Sequence, residues 1–188
     1  GMGVVKNVGS SAVEGIVAAR EKDGPYRDLE DFCKRADLSA ANSRAIEHLA
    51  RCGAFDLLGY DRGTLVMNAE RLVGLAKRER ELRESGQSTM FDLFGSQVDT
   101  PLPALELEPA PARKEDMLAW EKELLGVYVS DHPFKPVASD VARYTSHQIS
   151  EIGMELKGQT VTIGGLVNRV QARVTRDGRK FYVVDLED

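Results

Sequence analysis

Long apolar runs are missing from this chain. No stretch approaches the ~20 residues of a membrane-spanning helix, because charge or glycine breaks each candidate within a few residues. No membrane partner is therefore expected. Cysteine is scarce: Cys33 and Cys52 stand on separate segments without metal-ligand spacing, which reads as two reduced, buried thiols of a cytoplasmic protein. The few histidines, His48, His132 and His147, have neither metal spacing nor a Ser or Cys partner in a nucleophile motif, so surface or hydrogen-bonded structural roles are expected. A positive excess is also missing. Lys and Arg number 25 against 30 Asp and Glu, a net charge of -5. No global field would draw such a chain onto nucleic acid, so any DNA contact must be local. The opening Gly1-Met2-Gly3-Val4-Val5-Lys6 lacks the apolar region of a signal peptide. A catalytic centre is not evident. The best paired carboxylates, Asp185 and Glu187, follow a strand, as do those that hold two magnesium ions in nucleotidyltransferases. No Gly-Ser phosphate turn precedes them, and acidic residues closing a surface strand account for them as well.

What is present is a mainly α pattern that ends in β. Residues 1–84 read as helices joined by short turns. Ser11 and Glu14 have capping-box spacing for a first helix with Ala12, Val13, Ile16, Val17 and Ala19 on its apolar face, stopping before Gly24-Pro25. A short helix holds Leu29, Phe32 and Cys33. Asn42 can cap a third, with Ala45, Ile46, Leu49 and Ala50 on one side and Gly53 at its end. The spacing of Leu65, Ala69, Leu72 and Ala76 predicts one long helix from about Arg62 to Glu84. Residues 85–111, with Gly86, Gly95, Pro101, Pro103, Pro109 and Pro111, read as a flexible linker. Residues 112–157 read as a helical connector, including a partly buried helix through Leu118, Trp120 and Leu124 that ends at Gly126. From Thr160 the period changes to two, and Arg176-Asp177-Gly178-Arg179 is a turn, giving a β-hairpin in residues 158–188. The chain opens inside structured sequence and closes on a strand pattern, so a piece of a longer protein is expected.

Two motifs carry chemistry. Lys6-Asn7-Val8-Gly9-Ser10-Ser11 is a tight, glycine-containing turn that feeds a helix. Such a turn aims unpaired N–H groups outward and adds the positive end of the helix dipole, so a phosphate fits without a cationic patch. A plain helical corner with a structural glycine is the competing reading. Arg51-Cys52-Gly53-Ala54-Phe55-Asp56 is a second, poorer hairpin. The other motif, Gln87-Ser88-Thr89-Met90-Phe91, is an apolar pair beside an amide within the linker. That is the form of a short peptide that docks into a partner's groove; the alternative is that Met90 and Phe91, with Leu93 and Phe94, fold back on the core.

These segments together resemble a family. Gly1-Met2-Gly3-Val4-Val5-Lys6-Asn7-Val8-Gly9 is similar to the entry to the tandem helix-hairpin-helix domain of bacterial DNA polymerase III alpha subunits. Asp28-Leu29-Glu30-Asp31-Phe32-Cys33, Cys52-Gly53-Ala54-Phe55-Asp56, Gln87-Ser88-Thr89-Met90-Phe91 and Glu123-Leu124-Leu125-Gly126-Val127-Tyr128 through His132-Pro133 fall in the family's order. The tail from Thr160 is similar to the start of its OB-fold. The chain departs from the pattern at Asp131, where glycine is usual. The resemblance implies a tandem helix-hairpin-helix duplex-binding domain at 1–84, a linker with a clamp-binding motif at 85–111, the connector at 112–157 and a truncated OB-fold at 158–188. It implies that Lys6, Asn7, Val8, Gly9, Ser10 and Ser11 hold the backbone of double-stranded DNA, and that Gln87, Met90 and Phe91 bind the sliding clamp (the beta subunit). Other replicase subunits are implied partners of the parent chain. This segment would be non-catalytic, with no cofactor or metal of its own, while the parent polymerase uses magnesium in the cytoplasm. A helix-hairpin-helix and OB segment of a DNA-repair nuclease or ligase is the alternative.

Overall fold

A computed structural model describes residues 1–84 and 105–188. It forms two compact units, residues 1–128 and 129–188. Among the described residues there are seven α-helices and one two-stranded antiparallel sheet.

The first unit is helical. Helix α1 (Ser10–Asp23) follows a single 3-10 turn (Met2–Val4) and a short hairpin, and buries Ala12 and Ile16. The expected capping box does not form: Gly9 is the N-cap and no side chain caps the helix. Helix α2 (Leu29–Arg35) starts where Asp28 accepts a hydrogen bond from the Asp31 N–H at 2.7 Å. Its Arg35 binds the Asp31 carboxylate at 2.8 Å, lies 4.7 Å from the Tyr26 ring centre and reaches the Gly24 and Pro25 carbonyls. One guanidinium thus ties the α1–α2 turn to the helix that follows it. Helix α3 (Ser43–Arg51) is capped as expected, with Asn42 accepting from the Ala45 N–H at 2.8 Å.

The long helix expected over 62–84 is interrupted. It is α4 (Arg62–Met67) and α5 (Ala69–Glu84), divided at Asn68. The apolar stripe survives the break, since Leu65, Ala69, Leu72 and Ala76 are all buried. Phe32 sits at the centre of the core, edge-on to Tyr26 at 5.1 Å and to Phe55 at 5.0 Å. With Leu29, Leu38, Ile46, Leu49 and Leu124 fully buried around it, each contributing about 1.5–3 kcal/mol, the apolar faces of these short helices hold one another in place.

Part of the expected linker is fixed to this core. Residues 105–112 run extended along α4. Pro109 and Pro111 have no N–H, and the three N–H groups between and beside them each find a different acceptor. Glu108 donates to Asn68 Oδ1 at 3.1 Å, Ala110 to Thr64 Oγ1 at 3.1 Å and Ala112 to Asp61 Oδ1 at 2.9 Å. Positions 61, 64 and 68 lie on one helix face, spanning about 10 Å at 1.5 Å per residue. Four extended residues span about 13 Å, so the two repeats nearly match. Helix α6 (Lys114–Leu125) follows and ends at Gly126, as expected. The connector expected over 112–157 is therefore divided, α6 belonging to the first unit.

The second unit holds α7 (Lys135–Val141), two single 3-10 turns (Ile149–Glu151 and Met154–Leu156), and strands β1 (Leu166–Val174) and β2 (Lys180–Glu187). The strands pair with Val170 opposite Val184 and Ala172 opposite Tyr182, and an irregularity between Val167 and Arg169 bends β1. Two strands do not make a barrel. Asp131 has no positive φ, so the glycine usual at that turn is not required here by the backbone.

Candidate nucleic-acid interface

The hairpin between Met2 and α1 is built from the core outward. Val5 is buried and Val8 packs partly against the core. The Val8 N–H donates to the Val5 carbonyl at 3.3 Å, closing a four-residue turn with Lys6 and Asn7 at its centre. Asn7 has φ 64° and Lys6 does not have a positive φ. That is the pattern of a type II turn, whose third residue must be left-handed and is therefore commonly glycine or asparagine. The Lys6 backbone is held on both sides of its Cα. Its N–H donates to the Leu124 carbonyl at the end of α6 at 3.1 Å, and its carbonyl meets Nδ1 of the buried His48 on α3 at 3.0 Å.

Lys6, Asn7, Gly9, Ser10 and Ser11 are exposed, and Val8 is partly buried. Five of the six residues expected to touch DNA thus lie on one accessible turn, while the Val8 side chain anchors it. The N–H groups of Asn7, Gly9, Ser10 and Ser11 have no hydrogen-bond partner among the described residues. No acidic residue lies in the first turn of α1. Gly9 has φ -69° and ψ 145°, which any residue can adopt, and a Cβ placed there would meet nothing closer than Ser11 Oγ at 3.9 Å. Nothing within the described chain requires glycine at this position. It leaves bare backbone beside an open helix N-terminus, where the partial positive charge favours an anion.

The second hairpin is closed by the chain itself. Gly53 is left-handed at φ 79°, and the N–H groups of Gly53 and Ala54 turn back to the Ala50 and Leu49 carbonyls at 3.0 Å each, satisfying the end of α3. At the start of α4, Asp61 accepts from the Gly63 N–H at 2.8 Å. Arg62 fills the space beside Gly53: it binds both Asp56 oxygens at 2.9 and 2.7 Å, Glu121 Oε1 of α6 at 2.8 Å and the Arg51 carbonyl at 3.2 Å. Its hydrogen bonds to Asp56 and Glu121 push its pKa further up, outweighing burial. Glu121 is fully buried. Removing Arg62 would take from the Glu121 carboxylate the cation that offsets its interior charge, whereas Arg62 without Glu121 would still be paired with Asp56. The two hairpins, similar as sequence, differ in chemistry: the first leaves donors open and the second consumes them.

The clamp-motif residues Gln87, Met90 and Phe91 lie outside the described residues. Of the other positions considered, Glu187 is engaged by Asn168 and lies 3.3 Å from His132, and Asp185 stands opposite Arg169. No group of three or more metal-ligating side chains is assembled among the described residues. His48 is a hydrogen-bonded structural histidine, and His147 is exposed beside Ser146 Oγ at 2.9 Å. Cys33 is buried, which pushes its thiol up to about 12, whereas Cys52 is only half-buried, with its thiol at about 11. No described helix is long and apolar enough to cross a membrane.

Comparison with known proteins agrees with this geometry. A family described as the helix-hairpin-helix motif matches residues 1–65, which include both hairpins. The whole chain aligns with proteins named DNA polymerase III subunit alpha. The Thermus aquaticus protein is 39% identical over 191 residues, covering 100% of this chain and 15% of that protein. The Haemophilus influenzae protein is 32% identical over 188 residues and the Escherichia coli K12 protein 29% over 189 residues, each match covering 100% of this chain and 16% of the relative. The chain spans about one sixth of the length of these relatives.

Proposed function

From the premise that this chain is, along all of its length, a relative of one segment of the DNA polymerase III alpha subunits, we propose that it is a non-catalytic part of a replicative DNA polymerase that holds product duplex by its backbone and tethers the enzyme to a sliding clamp. The observation that carries the DNA half is the first hairpin, where exposed Gly9, Ser10 and Ser11 keep free N–H groups that no residue of the described chain uses. Donors of this kind recognise phosphate and read no base, so binding is independent of sequence. Templated synthesis, with its catalytic carboxylates and magnesium, belongs to the remainder of the longer protein, working with other replicase subunits in the cytoplasm. The clamp half rests on Gln87, Met90 and Phe91. Burying a Phe and a Met side chain contributes on the order of 3–6 kcal/mol before the cost of ordering the peptide, which suits a micromolar contact that holds during synthesis and releases afterwards.

Two titrations of the intact chain test this reading. Duplexes of two unrelated sequences are expected to bind equally. Gly9→Val fits the backbone of Gly9 and should fold normally, yet its side chain blocks approach to the free N–H groups, so it should weaken both. A bacterial clamp is expected to bind the wild type and to lose the Met90→Ala, Phe91→Ala double variant, with the melting temperature unchanged. Equal DNA affinity in folded Gly9→Val removes the hairpin from the account. Retained clamp binding in the double variant removes the motif.

A further inference from the structure

The described chain also contains a buried group that acts on the first hairpin without being part of its surface. We propose that His48 is a positioning residue that fixes the orientation of the Lys6–Asn7 peptide and so keeps the Asn7 N–H turned toward the phosphate; the proposal rests on the DNA reading above.

The Lys6 carbonyl can only accept, so the nitrogen 3.0 Å away, Nδ1 of His48, carries the hydrogen. His48 is 5% exposed on α3 and lies 42 positions along the chain from Lys6. A peptide unit is planar and, here as throughout the described residues, trans, so its C=O and N–H point in opposite directions. With the Lys6 oxygen drawn inward to a buried imidazole, the Asn7 N–H must face away from the core. It joins the N–H groups of Gly9, Ser10 and Ser11 on the exposed side of the turn. The central peptide of a four-residue turn has a second setting. Rotation by about half a turn converts type II to type I, moving the third residue from positive to negative φ. In this hairpin that rotation would bring the Lys6 oxygen outward, where it would repel a phosphate, and would bury the Asn7 donor. The Leu124 carbonyl holds the Lys6 N–H at 3.1 Å but belongs to the preceding peptide unit, so it does not by itself choose between the settings. The bond from His48 does.

The test is a titration of the full chain with a mixed-sequence duplex, comparing wild type, His48→Ala, His48→Asn and His48→Gln, with thermal melts and the Asn7 backbone coupling measured by NMR. Asparagine places an N–H close to the position of Nδ1, whereas glutamine carries its amide one carbon further out. His48→Ala is expected to weaken DNA binding about threefold to tenfold, the range of one hydrogen bond, and to shift the Asn7 coupling toward negative φ. His48→Asn should restore both readouts and His48→Gln should restore neither. Wild-type affinity in folded His48→Ala overturns the proposal, as does asparagine binding no better than glutamine. If His48→Ala does not fold, the Asn-against-Gln difference still decides. Should wild type and Gly9→Val bind DNA equally, the DNA reading fails, and the Asn7 coupling alone reports whether His48 sets the peptide.

Discussion

Gly9 and Gly74 are both exposed glycines with room for a side chain, and the backbone around each gives the same atom opposite meanings. Gly9 caps a helix at a turn whose donors are open, so its missing side chain serves whatever approaches. Gly74 lies inside α5, has no positive φ, and a Cβ there would touch nothing within 4 Å. Glycine in an exposed helix interior carries only the entropic cost of its freedom in the unfolded chain. Gly74→Ala is therefore expected to stabilise the protein by about 0.5–1 kcal/mol, measured by denaturant unfolding, with DNA affinity unchanged. A fall in stability would mean that α5 is packed against something at that position. Asn7 is the third informative residue. Asparagine tolerates the left-handed region better than other side chains, so the sequence marked this turn even though the residue is not glycine.

At the scale of elements, proline and glycine cooperate across a distance of some 46 positions. Residues 105–111 read as linker because of their prolines and acidic residues. The alternating prolines, however, leave free N–H groups on every second residue, and Asp61, Thr64 and Asn68 accept all three. Gly63 makes the contact possible: a Cβ there would stand 2.2 Å from the Ala110 oxygen and 2.8 Å from the Ala112 nitrogen. Gly63→Val should push this segment off α4 and cost about 1–3 kcal/mol for the lost hydrogen bonds. Amide exchange at Glu108, Ala110 and Ala112 should accelerate while that of α3 stays slow. Unchanged protection at those three amides would show that the segment is held by other contacts. The division of the long helix at Asn68 belongs to the same arrangement, since the Asn68 side chain donates to the Thr64 carbonyl at 2.8 Å and to the Glu108 carbonyl at 2.9 Å. Helix periodicity saw the stripe but not the polar residue that leaves the helix to hold a second segment.

For the molecule as a whole, charge is the deciding quantity. A chain of net charge -5 that binds duplex through backbone N–H groups releases few counterions. Lys6 is the one cationic side chain within the hairpin residues 6–11. The logarithm of DNA affinity should therefore fall with the logarithm of salt at a slope of roughly -1 to -2, since each neutralised phosphate contributes about -0.9. Titrations at several salt concentrations measure it. A slope near that of a basic domain with many phosphate contacts would show that cations away from the hairpin carry the binding.

The sequence alone determined the first three helices, the cap at Asn42, the helix stop at Gly126, the β-hairpin about Gly178 and the outward-facing turn of the first hairpin. Each of these follows from local spacing or from residues with narrow backbone preferences, and local rules read them directly. Tertiary structure decided what separates the two hairpins. Both are glycine-containing turns between helical segments, and only folding brings Arg62 and Glu121, 59 positions apart, into the second, and His48 and Leu124 against the first. Such partners are chosen by how apolar faces pack, and packing is not written in the spacing of neighbours along the chain.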